Sequence, residues 1–432
     1  MWLGLSLGAL AGISICVNFA YQWYVITTLG PGQSTDALFA GMMVPQLVLV
    51  IVAGSLNYVL VPLLAVEEGE ARERLAWTYV QGIGVGCLAL VGLLMLAAPR
   101  WVPLTVPGFS PAAASLAVHL TRIQLLGVVF TAVTGVEWAM HYAKHRFVRA
   151  EGSGVLASLA GFGFIVVALP RIGVAAAAWG TLVRSGMQML LLTWGMGRYR
   201  RPEWRHPGLA VALRRTAPLT GGQVYYKSDA LLDRFFASLA PAGTLSLYHV
   251  AQQLYASASM VLNRAVVAPV VPRLSRRANL KQWPAFIAQV NQRLVALLVM
   301  TFAASAGIAL VGRSVLGTIF HRGQFTPVAI EHLWWLLLLL SGVWVGGAAG
   351  QILSTSFYAQ GDTRTPTLVG VAGFTVAIVL KVVAFRRYGI EGLAVAASLY
   401  YLLNAAVLLI CLRRRTRRVT GEPIVLEELA SL

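Results

Sequence analysis

Residues 364–418 read RTPTLVGVAGFTVAIVLKVVAFRRYGIEGLAVAASLYYLLNAAVLLICLRRRTRR. Two apolar runs, 365–385 and 391–412, are separated by Arg386-Arg387 and closed by Arg413, Arg414, Arg415, Arg417 and Arg418. Each run is about 20 residues, the length at which a helix crosses a hydrocarbon core of about 30 Å. In lipid the backbone must satisfy its own hydrogen bonds, so a spanning run of this kind is a helix. The pattern recurs upstream at 2–29, 36–66, 76–99, 112–141, 152–170, 172–197, 209–240, 244–272, 285–311 and 327–359. Twelve spans are therefore expected. The fold class is an all-α polytopic membrane protein.

Composition agrees. Of 432 residues, 58% are hydrophobic and 12% charged, about half the charged fraction of a soluble domain. The 34 Lys and Arg outnumber the 16 Asp and Glu, for a net charge of +18. A nucleic-acid binder would set such an excess in polar patches; here the basic residues separate apolar runs, so no nucleic-acid partner is expected. The three cysteines, Cys16, Cys87 and Cys411, lie inside apolar runs and predict neither disulfides nor a metal site. The apolar start at Met1 has no basic leader region and reads as a retained first span.

Loop charge sets the orientation. With the N-terminus cytoplasmic, 21 basic residues fall in cytoplasmic segments and 6 outside, as the positive-inside rule requires. Both termini are then cytoplasmic. A shift of 210 residues lays Leu29-Gly-Pro31 on Leu239-Ala-Pro241, and Val61-Pro62 on Val271-Pro272. A shift of 216 lays Tyr142-Ala143 on Tyr358-Ala359, and Gly173-Val174 on Gly389-Ile390. The chain reads as two pseudo-symmetric halves: a six-helix lobe over 1–205, a second over 206–412, and a basic cytoplasmic tail over 413–432. Parallel repeats of this kind occur in transporters, with substrate held at their interface.

Seven basic residues remain inside the spans: Arg122, Arg184, Lys227, Arg234, Arg264, Arg293 and Lys381. Each costs roughly 2.5–3.5 kcal/mol to insert. Arg293 lies near a cytoplasmic end, where it can snorkel. The clear acidic counterparts are Glu137, Asp229 and Asp233, with Asp36 and Glu331 near span ends. In span 7, Gln223, Lys227 and Arg234 fall within about 40° of one another on a helical wheel, with Asp229 and Asp233 opposite. Span 8 sets Ser246, Gln253, Ser257 and Arg264 along one stripe about 20° wide. An interior rich in cations suits an anionic substrate such as a lipid-linked diphosphate, because Arg offers a fork of donors and Lys a point charge. The predicted substrate residues are Lys227, Arg234, Arg264, Gln223, Gln253, Ser257, Arg122 and Arg184. No GxxxxGK[ST], no HExxH and no clustered His and Cys occur. Short outer loops without paired carboxylates argue against an enzyme, and no cofactor is expected.

Several segments resemble one family. TDALFA at 35–40, followed by Val44-Pro45 and Val61-Pro62, is similar to the opening of span 2 in MurJ/MviN-type lipid II flippases. DRFFAS at 233–238, VPRLS at 271–275, RGQFT at 322–326, FYAQGDTRTP at 357–366 and GIEGLA at 389–394 follow in the family's order. The resemblance implies two six-helix lobes forming a V, in the bacterial inner membrane. Alternating access between them would carry a polyprenyl-diphosphate-linked saccharide outward, driven by membrane potential or an ion gradient, beside cell-envelope synthesis proteins as partners. It also implies gating or coupling roles for Asp36 and Asp233.

The departures are specific. The family carries arginines in span 1, where residues 14–29 have none. Another is expected after the span 2 proline, where this chain has Gln46, and another in span 8, where it reads Ala251-Gln252-Gln253. The family's two further C-terminal spans have no counterpart here. Lys381 falls near an asparagine that serves sodium in some members, and the resemblance implies that its ammonium replaces that ion and pairs with Asp233. Runner-up readings are an exopolysaccharide or O-antigen flippase, then a multidrug antiporter, then a non-transporting membrane scaffold.

Overall fold

The computed structural model describes residues 2–204, 225, 228–320 and 323–420, and the side chains there except at 2–6, 11, 52–59 and 417–420. Among them every regular element is helical: α1 (Trp2–Leu29), α2 (Gln33–Gly41), α3 (Met43–Val66), α4 (Gly69–Thr105), α5 (Pro111–Ala143), α6 (Phe147–Ile172), α7 (Val174–Thr193), α8 (Asp229–Ser238), α9 (Thr244–Leu262), α10 (Val271–Asn279), α11 (Trp283–Phe320), α12 (Pro327–Leu339), α13 (Ser341–Ala359) and α14 (Arg364–Thr420). Nine stretches of the described residues are long and apolar enough to cross a membrane. One of them is α14, which Gly389 (φ 58°) breaks into two helices. Predicted span 2 is jointed at Met42 between α2 and α3. Predicted span 7 lies largely outside the described residues, and α8 is its visible end.

The repeat in the sequence is a repeat of backbone geometry. Helix α5 ends in a Schellman turn: Arg146 N–H donates to the His141 carbonyl at 2.8 Å and His145 N–H to Tyr142 at 3.0 Å, with His145 at φ 56°. Helix α13 ends identically 216 residues on. Asp362 N–H donates to Phe357 and Gly361 N–H to Tyr358, with Gly361 at φ 74°. Both turns satisfy the last carbonyls of a helix with one left-handed residue. The next break repeats as well, Gly173 at φ 58°, ψ −144° and Gly389 at φ 58°, ψ −139°. Each is a backbone shape that only glycine adopts without strain. The boundary between spans 5 and 6 therefore falls at Gly173, and Pro170 sits in the last turn of α6.

In the FYAQGDTRTP segment, Asp362 then starts α14. Its carboxylate accepts from the Thr365 N–H at 3.0 Å and the Thr365 hydroxyl at 2.7 Å, and pairs with Arg415. Partial desolvation pushes its carboxyl up, but the Thr365 bonds and the Arg415 guanidinium together hold it below the ordinary aspartate value.

The chain folds as two compact units, residues 1–246 with 320–327, and 247–319 with 328–432. In the first, α5 is the central post. It packs against α2, α3, α4, α6 and α7, and its Leu120, Leu125, Val128, Ala132, Val136, Ala139 and Met140 are fully buried. In the second, α13 lies along α14. The carbonyls left at the α12–α13 joint are taken by side chains: Tyr255 Oη donates to Leu337 at 2.6 Å and Ser398 Oγ to Leu339 at 2.5 Å.

Candidate functional site

Within the first unit, α1, α2, α3, α5 and α7 line an open-sided cavity of about 260 Å³. Apolar side chains (Val25, Leu38, Phe39, Leu49) form part of its wall, and the rest is amide and hydroxyl: Asn18, Tyr21, Gln22, Gln46, Gln124, Thr131, Thr181 and Ser185. One charge enters it. Arg184, ten residues into α7, donates from Nη1 to Asn18 Oδ1 at 2.5 Å. No ion pair reaches Arg184 among the described residues. The walls are fixed by backbone: Tyr21 Oη donates to the Ala177 carbonyl at 2.5 Å, Thr131 Oγ1 to Gly127 at 2.8 Å and Ser185 Oγ to Thr181 at 3.0 Å. Gly180 makes the approach of α1 possible, since a Cβ there would sit 2.8 Å from the Tyr21 hydroxyl.

This geometry bears on the missing arginines. Gln46 and span 1, where the resemblance led to an expectation of arginine, line the cavity with amides, and α7 brings a guanidinium to the same space. Asn18 and Gln22 are four residues apart on α1, a polar pair in an apolar run, and that spacing was the available signal.

Asp36 forms a second arrangement in the same unit. It is 3% exposed, at the start of α2. Its carboxylate accepts the Gly243 N–H at 2.6 Å and the Ser246 N–H at 2.7 Å, and also the Ser246 hydroxyl. Ser246 Oγ lies 2.9 Å from Thr35 Oγ1. A buried carboxylate thus caps the N-terminus of α9, where free amides and the helix dipole favour an anion. Ser246 is therefore committed to Asp36.

The other residues predicted from the sequence are scattered. Arg122 Nε donates to the Met95 carbonyl at 3.1 Å; Pro99, four residues on, has no N–H to offer that carbonyl, so Arg122 repairs a proline gap in α4. Arg234 is 5% exposed on α8, with Nε 3.1 Å from Met43 Sδ. Asp233 beside it is 3% exposed. In the second unit, Gln253 and Ser257 are half-buried on α9 and Lys381 is fully buried on α14. Arg264 is exposed and sits in a π-helical turn, Asn263–Val267, so the 100° spacing that aligned it with Gln253 and Ser257 does not extend to it. Gln223 and Lys227 lie outside the described residues. No group of three His, Cys, Asp or Glu side chains placed to hold a metal ion is found among the described residues.

The comparison with known families decides the identity. A family model described as "Lipid II flippase MurJ" matches residues 25–432. The chain belongs to the MurJ family. The probable lipid II flippase MurJ of Vibrio cholerae is 24% identical over 428 residues, covering 94% of this chain and 81% of that protein. That of Rhizobium meliloti is 26% identical over 428 residues, covering 90% and 76%. Among solved structures, a lipid II flippase MurJ in an inward closed conformation superposes with a TM-score of 0.81 at 18% identity, over 94% of this chain and 87% of that one. An inward-facing MATE family multidrug resistance transporter of the MOP superfamily gives 0.77 at 16%, over 95% and 96%. At these identities the superpositions establish the fold alone. MurJ membership makes this an integral membrane transporter, not an enzyme.

Proposed function

We propose that this MurJ-family protein moves a polyprenyl-diphosphate-linked saccharide, lipid II or a close relative, across the bacterial inner membrane by alternating access. The observation that carries the reading is Arg184. A guanidinium within a membrane span, with an amide neighbour and no carboxylate, is costly unless it has an anion to bind, and phosphate oxygens match its fork of donors. The cavity beside it is slightly smaller than a typical ligand pocket of roughly 300 Å³ or more. It has room for a fragment of the headgroup, with Gln22, Gln46 and Gln124 supplying hydrogen bonds to sugar hydroxyls or peptide groups.

In the first unit Arg234 and Lys227 add positive charge for the diphosphate and Gln223 serves the sugar; the second unit has a polar set of its own in Gln253, Ser257 and Arg264. Asp36 acts as a gate by holding and releasing the start of α9. Asp233 and Lys381 belong to coupling, in which membrane potential or an ion gradient biases the direction of release. A second reading, an exopolysaccharide or O-antigen repeat-unit flippase, is favoured by one observation, the amides at positions where the family carries arginine.

Complementation separates the two. Expression in a bacterium depleted of its own MurJ is expected to restore growth and cell shape. Failure to rescue, with the protein present in the membrane, would overturn the lipid II reading.

A further inference from the structure

One row of buried polar groups, two of them titratable, has no part in the site above. Thr134, Glu137 and His141 follow one another on one side of α5 at spacings of three and four residues, and all are buried. Glu137 Oε1 lies 2.5 Å from Thr193 Oγ1 of α7, which also donates to the Met189 carbonyl at 2.8 Å. Its Oε2 has no hydrogen-bond partner, and neither do Thr134 Oγ1 or His141 Nδ1. His141 Nε2 meets the Leu192 carbonyl at 3.0 Å. A carbonyl accepts only, so Nε2 carries the proton and Nδ1 presents a lone pair. Buried polar atoms without a partner are a small minority in native structures, and each calls for an explanation such as strain, a catalytic role or a bound ion. Here three stand in a row.

The surroundings give the row a direction. Cations gather at its His141 end: Lys144 just past the end of α5, Arg146 just before α6, whose Nη1 donates to the Gly195 carbonyl at 3.4 Å, and Arg149 in the first turn of α6. From α4, Glu73 is paired with Lys144 at 3.4 Å, and Tyr79 is buried. Helix α3 carries no charged residue and one tyrosine, Tyr58; α2 contributes only Asp36, which is committed to the start of α9. Helix α7 presents Thr193 at this level and Arg184 nine residues earlier. No ion pair reaches Glu137 among the described residues. Burying a carboxylate in an apolar bundle with one hydroxyl neighbour costs free energy unless further donors reach it.

We propose that Glu137 is a proton-binding site that couples transport to the proton gradient, with His141 relaying the proton to and from cytoplasmic water. Loading converts the carboxylate and one hydronium into a carboxylic acid and water, taking Glu137 from −1 to 0; release is the reverse. In the acid form the carboxyl O–H donates to Thr193 Oγ1, whose own proton goes to the Met189 carbonyl at 2.8 Å. The anion needs further donors, so each deprotonation favours a different packing of α7 on α5, and α7 is the helix that carries Arg184 into the cavity. The inference rests on the transporter reading, but the proton site is measurable without transport.

Two measurements test it. In purified protein, infrared difference spectra taken across a pH titration are expected to contain a protonated-carboxyl carbonyl band that disappears as pH rises and is missing in Glu137→Gln. In proteoliposomes carrying a fluorescent polyprenyl-diphosphate saccharide, an imposed pH gradient is expected to change the wild-type flipping rate about tenfold, with Glu137→Gln insensitive to it. His141→Asn should keep the band and slow its response. A band unchanged by Glu137→Gln, or a variant that responds to the gradient as wild type does, overturns the proposal. A normal titration with no flipping under any condition leaves the proton site standing and removes the proposed substrate.

Discussion

Replacing Arg184 with Gln is expected to lower transport of a lipid-linked diphosphate by about 10- to 100-fold while the protein inserts and folds normally. A hydrogen bond to a charged group is worth about 1.5–3 kcal/mol, and each 1.4 kcal/mol is about tenfold. The substituted amide can still reach Asn18 but has no charge for a phosphate. Insertion should become easier, because the guanidinium costs roughly 2.5–3.5 kcal/mol in the bilayer. Arg184→Lys keeps the charge and loses the fork, so an intermediate rate is expected. Flipping in proteoliposomes, with detergent-solubilised protein checked by size exclusion, gives the comparison. Wild-type rates in Arg184→Gln would show that the cavity in the first unit is not on the substrate's path.

The second large effect is expected at the Asp36 cap. Thr35 Oγ1 and Ser246 Oγ are 2.9 Å apart, so the pair Thr35→Cys and Ser246→Cys should form a disulfide. In a background without Cys16, Cys87 and Cys411, oxidation is expected to arrest transport and reductant to restore it. A transporter that must part these residues in each cycle cannot work while they are tied. Full transport by the oxidised, quantitatively cross-linked protein would mean that they stay together throughout, and the gating role of Asp36 would be lost. Asp36→Ala tests the same contact from the other side. It strands the Gly243 and Ser246 amides, at about 1–3 kcal/mol for each buried group, and should weaken the state in which they are held.

The physics that made the fold legible is local. A run of about 20 apolar residues closed by arginines has few alternatives to a spanning helix, and the turns carry their own chemistry. The match of Gly173 to Gly389 was visible as two letters, and it is a shared left-handed break because both positions need the same backbone shape. Pro170 looked like the boundary between spans 5 and 6 but lies three residues inside it. Pro170 forfeits one backbone hydrogen bond in the last turn of α6 without ending the helix, and it is the glycine that turns the chain.

The site was legible only in part, because it depends on how helices rotate against one another. Charge counting placed Arg122 and Arg184 in the same class. Packing separates them: Arg122 is spent on the carbonyl that Pro99 leaves open, while Arg184 reaches a cavity whose amides come from three other helices. Nothing along the sequence links residue 184 to residues 18, 46 and 124. The stripe drawn through Ser246, Gln253, Ser257 and Arg264 failed at its ends for two reasons. Ser246 is held by Asp36, and the π-turn at Asn263–Val267 changes the helical repeat before Arg264 can be placed by it. Asp36 itself was identified from its motif, but the identity of its partners required the fold.

The central claim is that this chain carries a lipid-linked diphosphate saccharide, and reconstitution tests it most directly. Purified protein in liposomes of bacterial phospholipid, loaded with a fluorescent lipid II on one leaflet, is expected to make that headgroup accessible to a membrane-impermeant quencher on the other. The rate should scale with protein per vesicle and fall with Arg184→Gln. Accessibility no faster than in protein-free vesicles, with the protein folded and oriented and a membrane potential imposed, would contradict the account.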